Sequence, residues 1–361
     1  MSVSPPLSPN RENHTDSNIT AWTDSYFNRT KEIIKANGDC IVTYAFFMRR
    51  PVICAPKLML DWLKETASNR NIKIEIEQLA PEASWVGAGE PMLYITGSFL
   101  HLVDLETLLL QKLGPACVAA YHAGHMCMDL PNTGFLAMDA RHCAGLEMAE
   151  MMAYAAAVGT QYAKNEYEKQ KHDGESAAAP TGFIGNATNA TAHYFGNDHG
   201  FGTMPHALIG YAGSTLEAAK LFCATHQGQP LTVLVDYFGQ EITDALAVCH
   251  YFKDMAASGQ LSVRLDTQGS RYLEGLDPAA SYAVLDRNSP RSIRGFRTES
   301  ELNYLIGSGV SAAAIWQMRT ALDDAGFQRV KIVASSGFGP EKCKVMALAN
   351  APINVVGTGS F

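Results

Sequence analysis

Short apolar runs that end in polar residues alternate with helical stretches along the second part of the chain. Beyond about residue 131 the runs are GFLAMDAR, GFIGNATN, GTMPHA, TVLVDYF, LSVRLDTQG, VKIVASSG and INVVGTGS. Alternation of this kind is typical of parallel β-α-β units. The pattern therefore predicts a parallel α/β domain over residues 131–361.

The first part of the chain has a mixed pattern. The runs Cys40–Phe47 and Met92–Thr96 are typical of strands, whereas Pro56–Lys64 and Leu102–Lys112 have helical spacing. We predict a modest α/β domain over residues 21–130. Residues 1–20 are rich in Ser, Pro and Asn and have little to bury, so they are predicted to be a disordered tail.

Polar residues follow the predicted strands of the second domain. In parallel α/β architectures the carboxyl ends of the strands and the loops after them form the ligand-binding face. The candidate site residues are therefore Asp139, Arg141, His142, Thr188, Asn189, His206, Asp236, Tyr237, Arg264, Asp266, Ser335, Ser336, Gly337, Gly357, Thr358 and Gly359.

Two glycine-rich turns follow the last strands, Ser336–Gly337 within SSG and Gly357–Thr358–Gly359 within GTG. Backbone N–H groups approach a phosphate closely where no Cβ intervenes, and a helix that begins after the turn adds a favourable dipole. Ordinary tight turns have the same composition. Two such turns at successive strands nevertheless favour a phosphate cradle.

Charged residues beside these turns have two interpretations. Arg264 and Asp266 share one side of an extended chain, which suits a ligand but equally a structural ion pair. Asp236 after TVLV either contacts a ligand or caps the next helix. The sequence DARH, with Asp139 and Arg141, is costly to bury without partners, which favours a functional role.

Composition excludes several classes of function. The net charge is -8 and no run of Lys and Arg appears, which argues against nucleic-acid binding. Eight cysteines without a CxxC pair predict reduced thiols and a cytoplasmic protein. No segment approaches the roughly 18 apolar residues that would predict a membrane span.

The motifs TDSYF, DARH, ATN, GTMPHAL, LVDYF, VRLDTQGS, KIVASSG and VVGTGS occur in the order found in nicotinate phosphoribosyltransferases, and residues 21–361 resemble that family. Its members transfer phosphoribosyl from phosphoribosyl pyrophosphate to nicotinate in NAD salvage, with Mg²⁺ and often with coupled ATP hydrolysis. The resemblance implies an α/β fold, an irregular (β/α) barrel with an N-terminal α/β domain. It also implies a homodimer with shared active sites.

The resemblance implies roles for the charged residues. His206 is similar to the family histidine that ATP phosphorylates. Arg141 and Arg264 resemble arginines that surround the pyridine carboxylate and the phosphates. Asp236 and Asp266 resemble carboxylates that hold ribose hydroxyls and the metal-bound pyrophosphate, so Mg²⁺ is expected near them without direct ligation by the protein.

The resemblance also implies roles for the remaining candidates. Tyr26 in TDSY resembles an aromatic residue that stacks on the pyridine ring from the neighbouring subunit, and the two glycine-rich turns resemble the 5′-phosphate cradle. An amide substrate would favour an acidic residue near the ring to accept its N–H groups. The ATN segment, which contains Thr188 and Asn189, has no acidic residue, and this favours a carboxylate substrate. His142 stands where the family commonly has a second arginine.

Other interpretations stay open. In the first, the chain is an enzyme that transfers phosphoribosyl to quinolinate or nicotinamide instead of nicotinate. In the second, it is a non-catalytic homologue that binds a nucleotide. Quinolinate would call for extra basic residues to bind its second carboxylate. A long insertion, about 270–310, is interpreted as a lid, a solvated loop or an oligomer contact, and it contains Arg287, Arg291, Arg294 and Arg297.

Overall fold

The computed structural model describes residues 16–170, 178–202 and 204–361. The described residues divide into two compact units. One is drawn from Met1–His125, Asp139–Ala179 and Thr188–His199, and the other from Met126–Met138, Pro180–Ala187 and Gly200–Phe361. Residues 1–15 of the predicted tail lie outside the described residues, and residues 16–20 belong to a helix.

The first unit contains a three-stranded antiparallel sheet in the order β1-β5-β3 and a short pair, β2 with β4. Its strands are β1 (Ile41–Phe47), β2 (Val52–Ile53), β3 (Ile74–Gln78), β4 (Trp85–Val86) and β5 (Pro91–Ser98). The helices that begin in it are α1 (Asp16–Trp22), α2 (Ser25–Asn37), α3 (Lys57–Asn69), α4 (Phe99–Leu102), α5 (Glu106–Asp129) and α6 (Leu146–Gln170).

Helix α5 is much longer than the predicted segment Leu102–Lys112, and it continues through Pro115. Proline removes a backbone hydrogen bond from a helix interior. Ala116, Cys117 and Ala120, which follow it on one face of the helix, are fully buried. Burial of this apolar face therefore outweighs the local preference of proline for ending a helix.

The second unit is built on six parallel strands in the order β7-β6-β11-β10-β9-β8. They are β6 (Gly134–Ala137), β7 (Gly182–Asn186), β8 (Leu231–Leu234), β9 (Leu261–Leu265), β10 (Lys331–Ala334) and β11 (Val355–Thr358). Their apolar residues are almost continuously buried, as expected for parallel strands covered on both faces. The predicted α/β class is confirmed, and the structure adds that the sheet of the first unit is small and antiparallel.

The helices of the second unit mostly separate its strands. They are α7 (His206–Ala212), α8 (Thr215–Thr225), α9 (Glu241–Tyr251), α10 (Lys253–Ser258), α11 (Pro278–Asn288), α12 (Pro290–Ile293), α13 (Glu299–Ile306), α14 (Ala312–Asp324) and α15 (Pro340–Leu348). In the part of the chain that the structure describes, no helix is both long and apolar enough to cross a bilayer.

One predicted strand is wrong. The run GTMPHA forms no strand in its described residues, and α7 begins at His206 directly after the extended Pro205. Proline lacks the N–H that a central strand needs and is well suited to precede a helix. His206 is therefore the first residue of a helix, not the end of a strand.

The insertion of residues 270–310 is mostly helical, which excludes the interpretation as a structureless solvated loop. It contains α11, α12 and α13; α11 packs against α14, and α13 packs against α14 and α15. Two of its arginines are used internally. Arg294 pairs with Asp286 at 2.6 Å, and Arg297 donates to the carbonyl oxygens of Ser292, Phe296 and Arg291.

Candidate functional site

The carboxyl edge of the parallel sheet gathers many of the predicted site residues. Because neighbouring strands run parallel, their carboxyl ends meet at one edge. Asp236 follows β8, Asp266 follows β9, and the Ser336–Gly337 turn follows β10. The turn Gly357–Thr358–Gly359 ends β11, which pairs with β10.

Asp266 is fixed by two neighbours. The Nη2 of Arg264 lies 3.3 Å from Oδ2 of Asp266, and both side chains are mostly buried. The Ser335 hydroxyl donates to Oδ1 of Asp266 at 2.9 Å and lies 3.1 Å from the carbonyl oxygen of Leu265. The ion pair that the sequence left open is thus present, and it orients the carboxylate beside the turn after β10.

The two glycine-rich turns adjoin each other. The Thr358 hydroxyl donates to the carbonyl oxygen of Phe338 at 2.5 Å, and the N–H of Ser360 donates to that hydroxyl at 3.1 Å. Gly357 allows close packing, since a Cβ there would lie 2.7 Å from Sδ of Met138. The two turns are therefore linked through the Thr358 side chain.

The turn after β10 has an uncommon backbone. Ser336 and Gly337 both have left-handed dihedrals, with φ of 78° and 68°. For a residue other than glycine this conformation costs about 1–2 kcal/mol. Within the described residues the N–H groups of Ser336 and Gly337 donate no hydrogen bond. Unpaired N–H groups beside the start of α15 suit an anion.

His206 is held by Asp236. Its Nε2 lies 3.1 Å and 3.2 Å from the two carboxylate oxygens, and the Asp236 side chain is 7% exposed, compared with 45% for His206. An ionised carboxylate favours the tautomer with hydrogen on Nε2. The Nδ1 lone pair is then available as a nucleophile on a side chain that a ligand can reach.

An ion pair between the buried Glu241 and the half-buried Arg271 supports the backbone of Asp236. Glu241, fully buried at the start of α9, lies 2.6 Å from Arg271 and accepts hydrogen bonds from Thr267 and the N–H of Glu274. Arg271 also donates to the carbonyl oxygen of Asp236 at 2.8 Å. Sequence reasoning missed this network, because an acid in a first helical turn is already explained by the helix dipole.

Lys342 is a second group that sequence reasoning missed. It is buried in the first turn of α15, and its Nζ donates to the carbonyl oxygen of Ser336 at 2.8 Å. A hydrogen bond from a charged donor contributes about 1.5–3 kcal/mol, which is enough to offset the cost of the left-handed backbone conformation at Ser336. The sequence did contain one indication of Lys342: it is a cation near the N-terminus of a predicted helix, where the helix dipole disfavours positive charge.

The residues of the DARH motif belong to the first unit. Arg141 and His142 are exposed on a 3₁₀ helix, Ala140–His142, whereas Asp139 is 4% exposed. Burial raises the pKa of Asp139, and the Cys143 thiol donates to its carboxylate at 3.4 Å. Arg141 and His142 are thus accessible to a ligand, while Asp139 anchors the turn.

Three other predicted residues also belong to the first unit. Tyr26 lies in the first turn of α2, is 59% exposed and contacts Phe27, with ring centroids 4.2 Å apart and the ring planes tilted by 45°. Thr188 shares a hydrogen bond with Thr191 at 3.0 Å, and Asn189 is exposed. The exposed ring of Tyr26 is suitable for stacking on a flat ligand.

The carboxylates fit only one mode of magnesium binding. Across residues 16–170, 178–202 and 204–361, no group of three His, Cys, Asp or Glu side chains is arranged to hold a metal ion. Mg²⁺ commonly keeps several waters and binds one or two carboxylates together with substrate phosphates. Asp236 and Asp266, at the ends of adjacent strands β8 and β9, would lie near an ion held mainly by those phosphates and its waters.

Solved structures provide the likenesses to known proteins. Nicotinate-nucleotide pyrophosphorylase from Pyrococcus furiosus has a TM-score of 0.67 and 23% identity, over 96% of this chain and 72% of its own. NadC from Streptococcus pyogenes has a TM-score of 0.57 and 14% identity, over 99% of this chain and 93% of its own. Human nicotinic acid phosphoribosyltransferase has a TM-score of 0.52 and 15% identity, over 93% and 72%.

Sequence comparison adds no closer relative. No family model matches the chain, and no curated protein matches it. At identities of 14–23% the structural likenesses establish the fold and not the activity. The chain shares its fold with these proteins.

Proposed function

We propose that the protein transfers a phosphoribosyl group from phosphoribosyl pyrophosphate to a pyridine carboxylate, with nicotinate as the acceptor. The observation that carries the proposal is the pair of adjoining turns after β10 and β11, with the Asp266 carboxylate fixed beside them. Unpaired backbone N–H groups suit the 5′-phosphate, and a carboxylate next to them suits the ribose hydroxyls.

The reaction requires few protein groups. The lone pair of the ring nitrogen forms a bond to the anomeric carbon, while the bond from that carbon to pyrophosphate breaks and its electron pair leaves with the pyrophosphate. The main tasks are to hold the ring in line and to stabilise the departing charge. Arg264 is placed to contribute positive charge, and Mg²⁺ bound to the pyrophosphate would supply more.

ATP coupling through His206 is part of the proposal. The Asp236 carboxylate holds Nε2, which leaves Nδ1 to attack the terminal phosphorus of ATP. The bond between that phosphorus and ADP breaks as the bond to nitrogen forms. The resulting phosphohistidine would add negative charge beside Asp236, so its hydrolysis after transfer would relieve repulsion and assist product release.

Quinolinate is a second candidate acceptor, because a nicotinate-nucleotide pyrophosphorylase is among the proteins of the same fold. Transfer to quinolinate also releases carbon dioxide from the carboxyl group beside the ring nitrogen. The exposed Arg141 and His142 are available to bind carboxylates. Nicotinate is preferred since only one arginine stands in that motif.

The acceptor is identified by incubating the protein with phosphoribosyl pyrophosphate, Mg²⁺ and one base at a time: nicotinate, quinolinate or nicotinamide. We expect nicotinate mononucleotide from nicotinate, at a rate that ATP increases, and little product from nicotinamide. Chromatography of the nucleotide and detection of carbon dioxide separate the acceptors. Product from quinolinate alone would replace nicotinate with the second candidate.

A further inference from the structure

Lys342 occupies a position that a lysine normally avoids. Its side chain is buried, which lowers its pKa to about 8, and the residue lies in the first turn of α15. Desolvation and the positive end of the helix both disfavour an ammonium there. Near neutral pH the group is still mainly protonated. Groups that violate two such preferences are commonly retained for a function.

The surroundings of Lys342 direct its ammonium to the turn after β10. Nζ donates to the carbonyl oxygen of Ser336 at 2.8 Å and lies 4.2 Å from the ring centroid of Phe338. The ring of Tyr304, on helix α13 of the insertion, lies 6.0 Å away. Asp266 contributes a favourable electrostatic interaction. The aromatic rings stabilise the cation while they exclude water from it.

The turn that Lys342 contacts is otherwise strained. Ser336 has a φ of 78°, although serine rarely adopts the left-handed region. In that conformation the N–H groups of Ser336 and Gly337 stay unpaired within the described residues, and Gly337 is exposed. A charged donor on the Ser336 carbonyl holds this peptide group in place. It also adds positive charge behind the N–H groups.

We propose that Lys342 is a positioning residue that holds the Ser336–Gly337 turn in the conformation required to bind the phosphate of a sugar phosphate. Lys342 itself touches no substrate, because the turn lies between its ammonium and the ligand. The inference rests on the proposed function for the identity of the ligand. The inference also assigns a role to α13. This helix packs against α15 and provides Tyr304, one of the aromatic rings around the Lys342 ammonium.

The test compares binding of ribose 5-phosphate and of pyrophosphate by calorimetry. Lys342→Met removes the donor, and Lys342→Arg retains both charge and donor. Lys344→Met is the matched control, because Lys344 lies on the same helix but is exposed. We expect Lys342→Met to weaken ribose 5-phosphate binding by about tenfold or more, the size of one lost charged hydrogen bond. Lys342→Arg and Lys344→Met should bind nearly as wild type does.

A rescue experiment separates positioning from general stability. Glycine adopts the left-handed conformation without the serine penalty. Ser336→Gly combined with Lys342→Met should therefore recover a large part of the lost affinity. If Lys342→Met fails to fold, Lys342→Gln and Ser336→Gly/Lys342→Gln are compared instead. Glutamine removes the positive charge and keeps only a neutral donor, so a smaller weakening, again recovered by glycine, is expected.

Two results would overturn the inference: ribose 5-phosphate affinity unchanged in the folded Lys342 variant, or equal weakening of ribose 5-phosphate and pyrophosphate with no rescue by glycine. Failure of the proposed function is distinguishable. Wild type that binds ribose 5-phosphate but forms no mononucleotide would reject the catalytic proposal and leave the Lys342 comparison intact. Wild type that forms product while Lys342→Met keeps its affinity and KM would reject only the inference.

Discussion

At the scale of single residues, the decisive contacts are those between side chains far apart in sequence. Position after a strand was enough to select Asp266 and Asp236 as candidates. The pairing of Asp236 with His206, 30 residues away, required the fold. Glu241 was missed because an acid in a first helical turn has an ordinary explanation in its own helix. Lys342 was missed because its unfavourable position at a helix N-terminus names no partner, and only the fold shows its contact with Ser336.

The pairing of His206 with Asp236 predicts the effect of two substitutions on ATP coupling. His206→Ala removes the phosphoryl acceptor, and Asp236→Asn removes the carboxylate that sets the tautomer. Both should reduce ATP stimulation of turnover by about tenfold or more. Transfer without ATP should survive in His206→Ala, whereas Asp236→Asn should also lose part of it, because Asp236 is one of the two carboxylates expected beside the metal-bound pyrophosphate. The measurement is the initial rate of mononucleotide formation with and without ATP.

The control for this pair is His226→Ala, because His226 is exposed at the end of α8. Incorporation of label from γ-labelled ATP into wild type, stable to base and labile to acid, identifies a phosphohistidine. Equal ATP stimulation in wild type and His206→Ala would remove His206 from the reaction.

At the scale of elements, periodicity predicted most of the parallel strands, but turn chemistry overruled it in one place. The run GTMPHA resembles its neighbours in apolar content, yet Pro205 leads into a helix. Helix α5 shows the reverse error, because burial extends it beyond a proline that commonly ends helices. In both cases the local pattern covers few residues, and contacts with the surrounding chain determine the secondary structure.

Helix α13 begins with a capping box whose loss has a predictable cost. The Thr298 hydroxyl accepts from the N–H of Glu301, and the Glu301 carboxylate accepts from the N–H of Thr298. Thr298→Ala should lower the free energy of unfolding by about 1 kcal/mol. Ser300→Ala, exposed in the same helix, is the control for chemical denaturation.

The same variant tests whether the insertion acts as part of the scaffold. If α13 is a packed helix that encloses Lys342, weakening its cap should change the kcat of the enzyme little. If the insertion is a moving lid, the same substitution should change kcat and KM together. A stability loss with near-normal kcat is the expected result. Unchanged stability together with a large change in kcat would favour the lid.

At the scale of the whole molecule, the sequence predicted an α/β architecture that the structure confirms, and both compact units contain predicted site residues. Arg141, His142, Tyr26, Thr188 and Asn189 belong to the first unit, and the two glycine-rich turns after β10 and at the end of β11 belong to the second. The order of motifs along the chain did not indicate this division, because the sequence placed the DARH and ATN motifs in the second predicted domain, residues 131–361. The choice of acceptor base could not be predicted from it, because substrate identity depends on where a few exposed cations meet the ring.

The central claim is that this chain moves a phosphoribosyl group by means of the turns at the ends of β10 and β11. Its most direct test uses phosphoribosyl pyrophosphate labelled in the 5′-phosphate, with Mg²⁺, ATP and unlabelled nicotinate. The account predicts that the label appears in nicotinate mononucleotide as pyrophosphate is released in equal amount. Labelled donor that binds the protein and is recovered unchanged, with each pyridine base in turn, would contradict it.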